Sequence, residues 1–221
     1  MKKMNAFKPI QNGSGVHYPF QSSLISPVLE SYMHSLSEKT FIATQGTTHI
    51  SVIDGEGNAA SMTTSNGTGS GCFIPGTGIM LNNMMGEDDL HGEGFFSTPP
   101  NQRVSSMMIP SLVMKDGKVE FALGSGGSKR IRNAVLQVLV NVIDYNYPLK
   151  EAVEKSRVHI EDGVVQAEPD IAGEVLINLQ KHYRVNKWDH KNMYFGGVHC
   201  ADRNMDAWGD SRRGGSFLAS G

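Results

Sequence analysis

Gly46, Thr47 and Thr48 stand directly before an alternating run, His49 to Asp54, that predicts a β-strand. A Gly–Thr bond in this position is where some proteins cut themselves and release a threonine that serves as both nucleophile and base. A threonine hydroxyl attacks poorly unless a base takes its proton, and a freed α-amino group has a pKa of about 7.7–8.0. Glycine at 46 tolerates the distorted backbone that attack on its carbonyl requires. A structural interpretation also fits, in which a loop glycine precedes β-branched residues that begin a strand.

Other polar segments predict less on their own. Gly124–Ser128 (GSGGS) lies between a predicted strand and a predicted helix, but it matches neither a P-loop nor a dinucleotide fingerprint. The acidic segment 86–94 (GEDDLHGEG) lacks the alternating ligand spacing of a calcium loop. Cys72 and Cys200 have neither the number nor the spacing for a disulfide framework or a zinc site. We therefore predict no metal and no cofactor.

The elements that must position these groups follow from hydrophobic periodicity. Two β-hairpins are predicted, "HISVID"–"NAASMTT" around the turn DGEG and "IPSLVMK"–"KVEFALGS" around Asp116-Gly117. A long buried helix follows Gly127, and further helices are predicted for PLKEAVEKSRVHI, PDIAGEVLINLQKHY and a segment capped by Ser26 with Pro27. Strands return in NMYFGGVHCADR and after DAWGD. The order indicates an α+β fold with helices packed on a mostly antiparallel sheet, in which His49 and His159 are interpreted as structural.

Composition limits the function classes. The chain has 221 residues, of which 39% are hydrophobic and 19% are charged, with a net charge of −2, which is typical of one or two globular domains with a real core. The near-neutral charge and scattered aromatic residues give no support for nucleic acid as a partner. No stretch reaches the roughly 18 apolar residues of a membrane span. The N-terminus MKKMNAFKPIQNGSG has no apolar h-region, so no signal peptide is predicted and the chain as written is expected to be cytoplasmic.

Seven segments in this order resemble the small, catalytic subunit of γ-glutamyltranspeptidases over residues 40–221. They are TTHISVIDGEGNA, GSGCFIPGTGIMLNN, RVSSMMIPSLVMKDGK, GSGGSKRIRNAVLQVLVNVID, LKEAVEKSRVHIEDG, GGVHCADR and GDSRRGG. The resemblance implies an αββα four-layer sandwich of the N-terminal nucleophile hydrolases. It also implies a precursor that cuts itself before a threonine, and transfer of γ-glutamyl groups from glutathione-type amides to water or amino acids. Members are often exported, which leaves the compartment open.

The resemblance also implies roles for individual residues. The nucleophile falls on Thr47, so the cleavage site is Gly46–Thr47. The second hydroxyl beside it falls within Thr63–Asn66, with Ser65 as the best match, and Asn66 matches an asparagine that contacts the substrate's α-amino group. The carboxylate that pairs with the glutamyl ammonium falls on Glu87, with Asp88 close behind.

Three positions differ from the family pattern or stay open. The two serines that bind the α-carboxylate align with Ser106 and Met107 without a gap, or with Ser105 and Ser106 after a shift of one residue. The oxyanion-hole donors are Gly126 and Gly127 or, alternatively, Gly127 and Ser128, because the family's proline in this loop is absent. A family glutamine is replaced by Met84.

The resemblance finally implies how the chain is organised. Residues 1–46 correspond to the end of a large subunit and residues 47–221 to the catalytic small-subunit-like domain. The family's large subunit completes the sheet, so we expect an incomplete sandwich that binds a large-subunit chain or associates with itself. The alternative function is a non-catalytic or truncated relative that serves as a binding or assembly partner.

Overall fold

The computed structural model describes residues 46–94 and 97–219, so the helix predicted at Ser26 and Pro27 lies outside the described residues. The strands, in chain order, are β1 Thr47–Ile53, β2 Ala59–Ser65, β3 Ser111–Lys115, β4 Lys118–Gly126, β5 Val158–Glu161, β6 Val164–Ala167, β7 Arg184–Lys187, β8 Gly197–Asp202 and β9 Ala207–Gly209. The helices are α1 Arg130–Ile143, α2 Leu149–Glu154 and α3 Gly173–Gln180. None of the helices in these described ranges has the length and apolar character needed to cross a membrane.

Both predicted hairpins form. β1 and β2 pair in antiparallel register from Thr47 opposite Ser65 to Ile53 opposite Ala59. β3 and β4 pair around Asp116 and Gly117, whose φ values of 50° and 76° are those that a tight two-residue turn demands. The turn chemistry and the period-two patterns therefore predicted both hairpins, and the β3–β4 register shifts once, between Val113 and Met114.

The central sheet has the strand order β3-β4-β8-β9, and every pair in it is antiparallel. Successive residues of β4 show its two faces. Phe121 and Leu123 pack with α1 and α2 in the main core, whereas Ala122 packs with Ile53 of the hairpin. The β1–β2 hairpin thus packs on one face of the four-stranded sheet and α1 and α2 on the other, while β5, β6 and β7 form a separate sheet with α3 against β7.

The helix predicted after Gly127 forms and is buried along one face. Ile131, Val135 and Val138 are buried, and Leu139 and Val142 are partly buried against the same core. Gly124, Ser125 and Gly126 of the GSGGS segment belong to β4, and Gly127 and Ser128 lie in the short connection to α1, which begins at Arg130. This confirms the predicted order of strand, glycine loop and helix.

Four sequence predictions are wrong in detail. The strand predicted over NMYFGGVHCADR begins only at Gly197, because Met193–Phe195 form a 3-10 turn. The helix predicted over PLKEAVEKSRVHI ends at Glu154, because the Arg157 N–H is bound by the Glu168 carboxylate at 2.9 Å and the chain continues as β5. The strand predicted after DAWGD is a 3-10 turn over Ser211–Arg213, whose first turn is capped by Asp210. The helix predicted over PDIAGEVLINLQKHY is confined to Gly173–Gln180, because residues 181–183 form a turn that leads into β7.

Candidate active site

Thr47 lies at the first position of β1, directly opposite Ser65 at the last position of β2. Because the two residues are cross-strand neighbours, their side chains meet on one face of the hairpin. The Thr47 Oγ1 and Ser65 Oγ atoms are 2.8 Å apart, a hydrogen bond in which either hydroxyl can donate. The predicted nucleophile and the predicted second hydroxyl are thus in direct contact.

The Gly46–Thr47 peptide bond is held from both sides by the segment that follows β2. The Gly46 N–H donates to the Gly67 carbonyl at 2.7 Å, and the Gly46 carbonyl accepts from the Asn66 N–H at 2.9 Å. A Cβ on residue 46 would lie 2.9 Å from the Gly67 carbonyl oxygen, so only glycine fits without a shift. The bond predicted to break is therefore fixed in place, and its carbonyl is already polarised by a donor.

A small cavity opens beside the two hydroxyl groups. Its polar lining consists of Thr47, Ser65, Glu87, Ser106 and Ser128. Its apolar lining is contributed by Met84, Leu90, Met107, Met108 and Ile131, with Gly67 between the two sets. One hydroxyl pair, one carboxylate and several thioether and aliphatic groups thus surround the space that an acyl group beside Thr47 would occupy.

Glu87 reaches this cavity because its segment packs tightly against the loop after β2. A Cβ on Gly67, whose φ is 62°, would lie 2.8 Å from the Glu87 Oε1 atom. Asn83 ties the same two segments together: its Oδ1 accepts from the Thr68 N–H at 2.7 Å and its Nδ2 donates to the Thr68 hydroxyl at 2.5 Å. The Glu87 carboxylate is therefore positioned by backbone packing.

The end of β4 closes the site from the other side. A Cβ on Gly126 would lie 2.9 Å from the Thr47 carbonyl oxygen, and one on Gly127 would lie 2.8 Å from the Gly196 Cα. Gly127 has a φ of 133° and Ser128 a φ of 54°. The Ser128 hydroxyl donates to the Asp89 carboxylate. This loop thus approaches the nucleophile through backbone atoms.

Not every predicted site residue enters this cavity. Ser105 is exposed and is not among the described residues that line it, whereas Ser106 is. Asn66 contributes its backbone N–H to Gly46, and its side chain is not part of the described lining. Ser128 is part of the lining and Gly126 is not. The Asp88 side chain lies outside the described part of the structure.

A buried polar network lies behind Thr47, between the hairpin and the central sheet. His49 Nδ1 is 2.7 Å from the Thr63 hydroxyl and His49 Nε2 is 2.8 Å from the Ser51 hydroxyl. Burial, and secondarily the nearby His199, lower the pKa of His49 to about 4. A Cβ on Gly124 would lie 2.2 Å from the His49 ring, so glycine at 124 makes room for it. His49 is thus a neutral structural group at neutral pH.

Sequence reasoning did not single out a buried ion network that supports the glycine loop. Arg157 Nη2 contacts Asp210 Oδ2 at 2.7 Å, and Arg212 contacts Glu168 at 2.6 Å and Asp210 at 3.1 Å. Asp210 also accepts from the Val198 N–H at 2.9 Å, at the start of β8. The sequence signal for this network was the pair of arginines in "GDSRRGG". Charged residues are rarely buried without partners, so arginines within a segment of small residues could have indicated buried ion pairs.

Comparison with known proteins identifies the family. The γ-glutamyltranspeptidase family model matches residues 20–220. The chain belongs to the γ-glutamyltranspeptidase family. Two curated relatives are acylase ACY 1 proenzyme of Pseudomonas sp. (strain SE83), 43% identical over 59% of this chain and 24% of its own length, and glutathione hydrolase proenzyme of Pseudomonas aeruginosa, 39% identical over 51% of this chain and 22% of its own length.

A solved structure of γ-glutamyltranspeptidase from Pseudomonas nitroreducens, complexed with L-DON, gives a TM-score of 0.67 at 29% identity. The similarity covers 79% of this chain and 100% of that chain. The fold is therefore that of the N-terminal nucleophile hydrolases, as the motifs predicted. The chain spans about a quarter of the length of the curated relatives that it matches. Within the ranges that the structure describes, no group of three or more His, Cys, Asp or Glu residues is arranged to hold a metal ion.

Proposed function

We propose that this chain carries the catalytic part of an enzyme that transfers γ-glutamyl groups from glutathione-type amides to water or to amino acids. The observation that carries the proposal is the hydroxyl pair of Thr47 and Ser65, which lies at a strand start and beside a cavity containing a carboxylate. Family membership supports the reaction class, and the names of the relatives as glutathione hydrolase and acylase proenzymes agree with it.

The first step is cleavage of the chain before Thr47. The Thr47 hydroxyl oxygen attacks the Gly46 carbonyl carbon, the C–N bond breaks, and the leaving nitrogen takes a proton to become the α-amino group of Thr47. The resulting ester is hydrolysed by water, which leaves a Gly46 carboxylate and restores the hydroxyl. The Asn66 N–H, which donates to the Gly46 carbonyl at 2.9 Å, stabilises the negative charge that develops on that oxygen.

The same oxygen then attacks the donor amide. The free α-amino group of Thr47 takes the hydroxyl proton and passes it to the departing amine. Ser65 holds the hydroxyl in place through the 2.8 Å contact. Glu87 pairs with the ammonium of the glutamyl group and Ser106 binds its carboxylate, because both line the cavity beside Thr47. Water or an amine resolves the γ-glutamyl ester by the reverse sequence.

The oxyanion donors are the backbone N–H groups of Gly127 and Ser128. Neither N–H donates to another described residue. Ser128 lines the cavity whereas Gly126 does not, which favours this pair over Gly126 and Gly127. Two such donors typically stabilise a tetrahedral intermediate by several kcal/mol.

A partner chain that corresponds to the family's large subunit completes the sandwich. The hairpin presents Ile50, Val52 and Met62 to solvent, with exposed fractions of 49%, 52% and 53%. Apolar residues on the outer face of a sheet are expected to be covered in the functional assembly. The partner therefore lies on the face of the hairpin opposite to Thr47.

Intact-mass spectrometry tests the proposed function. The purified protein, with and without a co-expressed large-subunit chain, is incubated without protease and then with a γ-glutamyl anilide. We expect a break between Gly46 and Thr47, followed by a transient increase of one γ-glutamyl group on the fragment that begins at Thr47. A folded, uncleaved protein that still hydrolyses the anilide would overturn the proposal, because its chemistry would not use Thr47.

A further inference from the structure

Ser128 has a backbone conformation that serine rarely adopts. Its φ of 54° lies in the left-handed region, where a Cβ clashes with the backbone and where glycine is strongly favoured. The residue is also buried, lines the cavity beside Thr47 and lies two residues before the start of α1. Something must hold this residue in that conformation, since its own preference is different.

The Asp89 carboxylate is the group that contacts it. The Ser128 hydroxyl donates to Asp89 Oδ2, and the Lys129 ammonium lies 3.1 Å from Asp89 Oδ1. One carboxylate thus binds two successive residues of the loop. Burial raises the pKa of Asp89, but the hydrogen bonds from Ser128 and Lys129 outweigh this and lower it, so the carboxylate is ionised at neutral pH.

A second carboxylate ties the outer part of the loop to the rest of the fold. Glu161 lies 3.5 Å from the Lys129 ammonium and accepts from the Tyr194 hydroxyl at 2.9 Å. Lys129 is about half exposed, so its ion pairs are screened by solvent and contribute little. The Ser128 carbonyl accepts from the Ile131 N–H at 3.1 Å as α1 begins, but among the described residues the Ser128 side chain is bound by Asp89 alone.

We propose that Asp89 is a positioning residue for the oxyanion site: its hydrogen bond to Ser128 holds residue 128 in the left-handed conformation and thereby fixes the backbone N–H groups of residues 127 and 128. The inference rests on the proposed function. Asp89 is needed to hold this conformation only while residue 128 carries a side chain. A glycine at 128 adopts the same φ without help, so Asp89 becomes dispensable in that background.

Steady-state kinetics on the autocleaved protein test the coupling. The variants are Asp89→Ala, Ser128→Gly and the two combined, with a γ-glutamyl anilide as donor. Asp89→Ala is expected to lower kcat by roughly 10- to 100-fold with little change in KM, because misplaced oxyanion donors weaken binding of the transition state only. The same substitution in the Ser128→Gly background is expected to change kcat by less than about 3-fold, since no side-chain conformation remains to be held.

Two further variants separate the hydrogen bond from the charge. Asp89→Asn keeps an oxygen acceptor for the Ser128 hydroxyl, so it is expected to restore most of the kcat lost in Asp89→Ala. Lys129→Met removes the neighbouring ion pair without touching Ser128, and is expected to leave kcat unchanged within about 2-fold. The proposal is overturned if Asp89→Ala lowers kcat equally in both backgrounds, if it changes KM alone, or if Lys129→Met reproduces its effect.

Unfolding measurements keep this test independent of activity. Wild type, Asp89→Ala, Ser128→Gly and the double variant are unfolded in urea. Asp89→Ala is expected to lower the midpoint in the wild-type background and to leave it nearly unchanged in the Ser128→Gly background, whether or not the protein turns over. A folded wild-type protein that shows no γ-glutamyl transfer even with a co-expressed large-subunit chain would contradict the proposed function, while equal midpoint shifts in both backgrounds would contradict the positioning role of Asp89.

Discussion

The β1–β2 hairpin and the layer formed by β4 and α1 bury opposite kinds of residue. Between β4 and α1 the interior is aliphatic and aromatic, with Leu123, Val135 and Val138 almost fully buried. On the inner face of the hairpin His49 is buried among partly buried hydroxyls and Ile53 alone joins an apolar cluster, whereas Ile50 points to solvent.

The difference separates stability from chemistry. Burial of aliphatic side chains contributes the largest share of folding free energy, and in the described residues it is concentrated on the helix side of the sheet. The hydroxyl pair of Thr47 and Ser65 sits on the other side, on a hairpin whose outer face is apolar and open. We infer that the catalytic hairpin depends on a partner for part of its stability, while the β4–α1 layer does not.

The largest expected effect is at Thr47. Thr47→Ala removes the attacking oxygen, so we expect both cleavage at Gly46–Thr47 and γ-glutamyl transfer to be abolished. Thr47→Ser keeps the hydroxyl but loses the methyl group that restricts its rotamer, so both steps should continue more slowly. Intact mass measures the first step and anilide hydrolysis the second. Residual transfer in Thr47→Ala would place the chemistry elsewhere.

The two sides of the sheet should respond differently to truncation. Leu123→Ala creates a cavity in the main core and is expected to lower the free energy of unfolding by about 2–5 kcal/mol. Ile50→Ser removes an exposed side chain and is expected to change the unfolding free energy by less than about 0.5 kcal/mol. Urea unfolding measures both values.

Ile50→Ser should instead act on association. The chain alone is expected to associate with itself or with a large-subunit chain, because an open apolar sheet face favours contacts, and Ile50→Ser should weaken this. Sedimentation at micromolar concentration measures it. A monomeric wild-type protein that unfolds cooperatively would show that the hairpin needs no partner.

The apolar lining of the cavity predicts a change in donor preference. By resemblance, Met84 and, in the gap-free alignment, Met107 replace polar contacts to the glutamyl head, and both line the cavity that Thr47 lines. Each charge-assisted hydrogen bond that is lost typically costs about 1.5–3 kcal/mol. We therefore expect poor kcat/KM with glutathione and better values for donors with a more apolar head, with Met107→Ser reversing part of the difference. A kcat/KM for glutathione near the diffusion limit would refute this.

Acid should destabilise the packing of the β1–β2 hairpin on the central sheet, because His49 is buried there in its neutral form. Its pKa is about 4 in the folded protein against 6.5 for an ordinary histidine, because burial, and secondarily His199, disfavour the charged form. The unfolded chain takes up the proton first, so stability is fully present above pH 6.5 and is lost as the pH falls to about 4. His49→Gln should flatten the pH dependence of the urea midpoint over that interval. His182→Gln, at an exposed position, should leave it unchanged.

The sequence predicts the nucleophile side of the site well because strand periodicity is local. A turn at DGEG between two alternating strands sets a register in which Thr47 lies opposite Ser65. The contact of Asp89 with Ser128 joins residues 39 apart through an irregular segment, so no periodic pattern predicts it. The parallel pairing of β6 with β7 was missed for a similar reason: the strands have four residues each and a crossover between them.

The smallest expected effect belongs to Thr48, the immediate neighbour of the nucleophile. Successive side chains of a strand point to opposite faces, so Thr48 lies on the outer face with Ile50 and is exposed. Thr48→Ala removes no contact with Ser65 or with the cavity, and we expect cleavage and turnover to stay within about 2-fold of wild type. Thr47→Ala, by contrast, should abolish both cleavage and turnover. A large loss of turnover in Thr48→Ala, measured on a protein with unchanged urea midpoint, would mean that the outer face also takes part in the chemistry, and the separation between the two faces of the hairpin would be wrong.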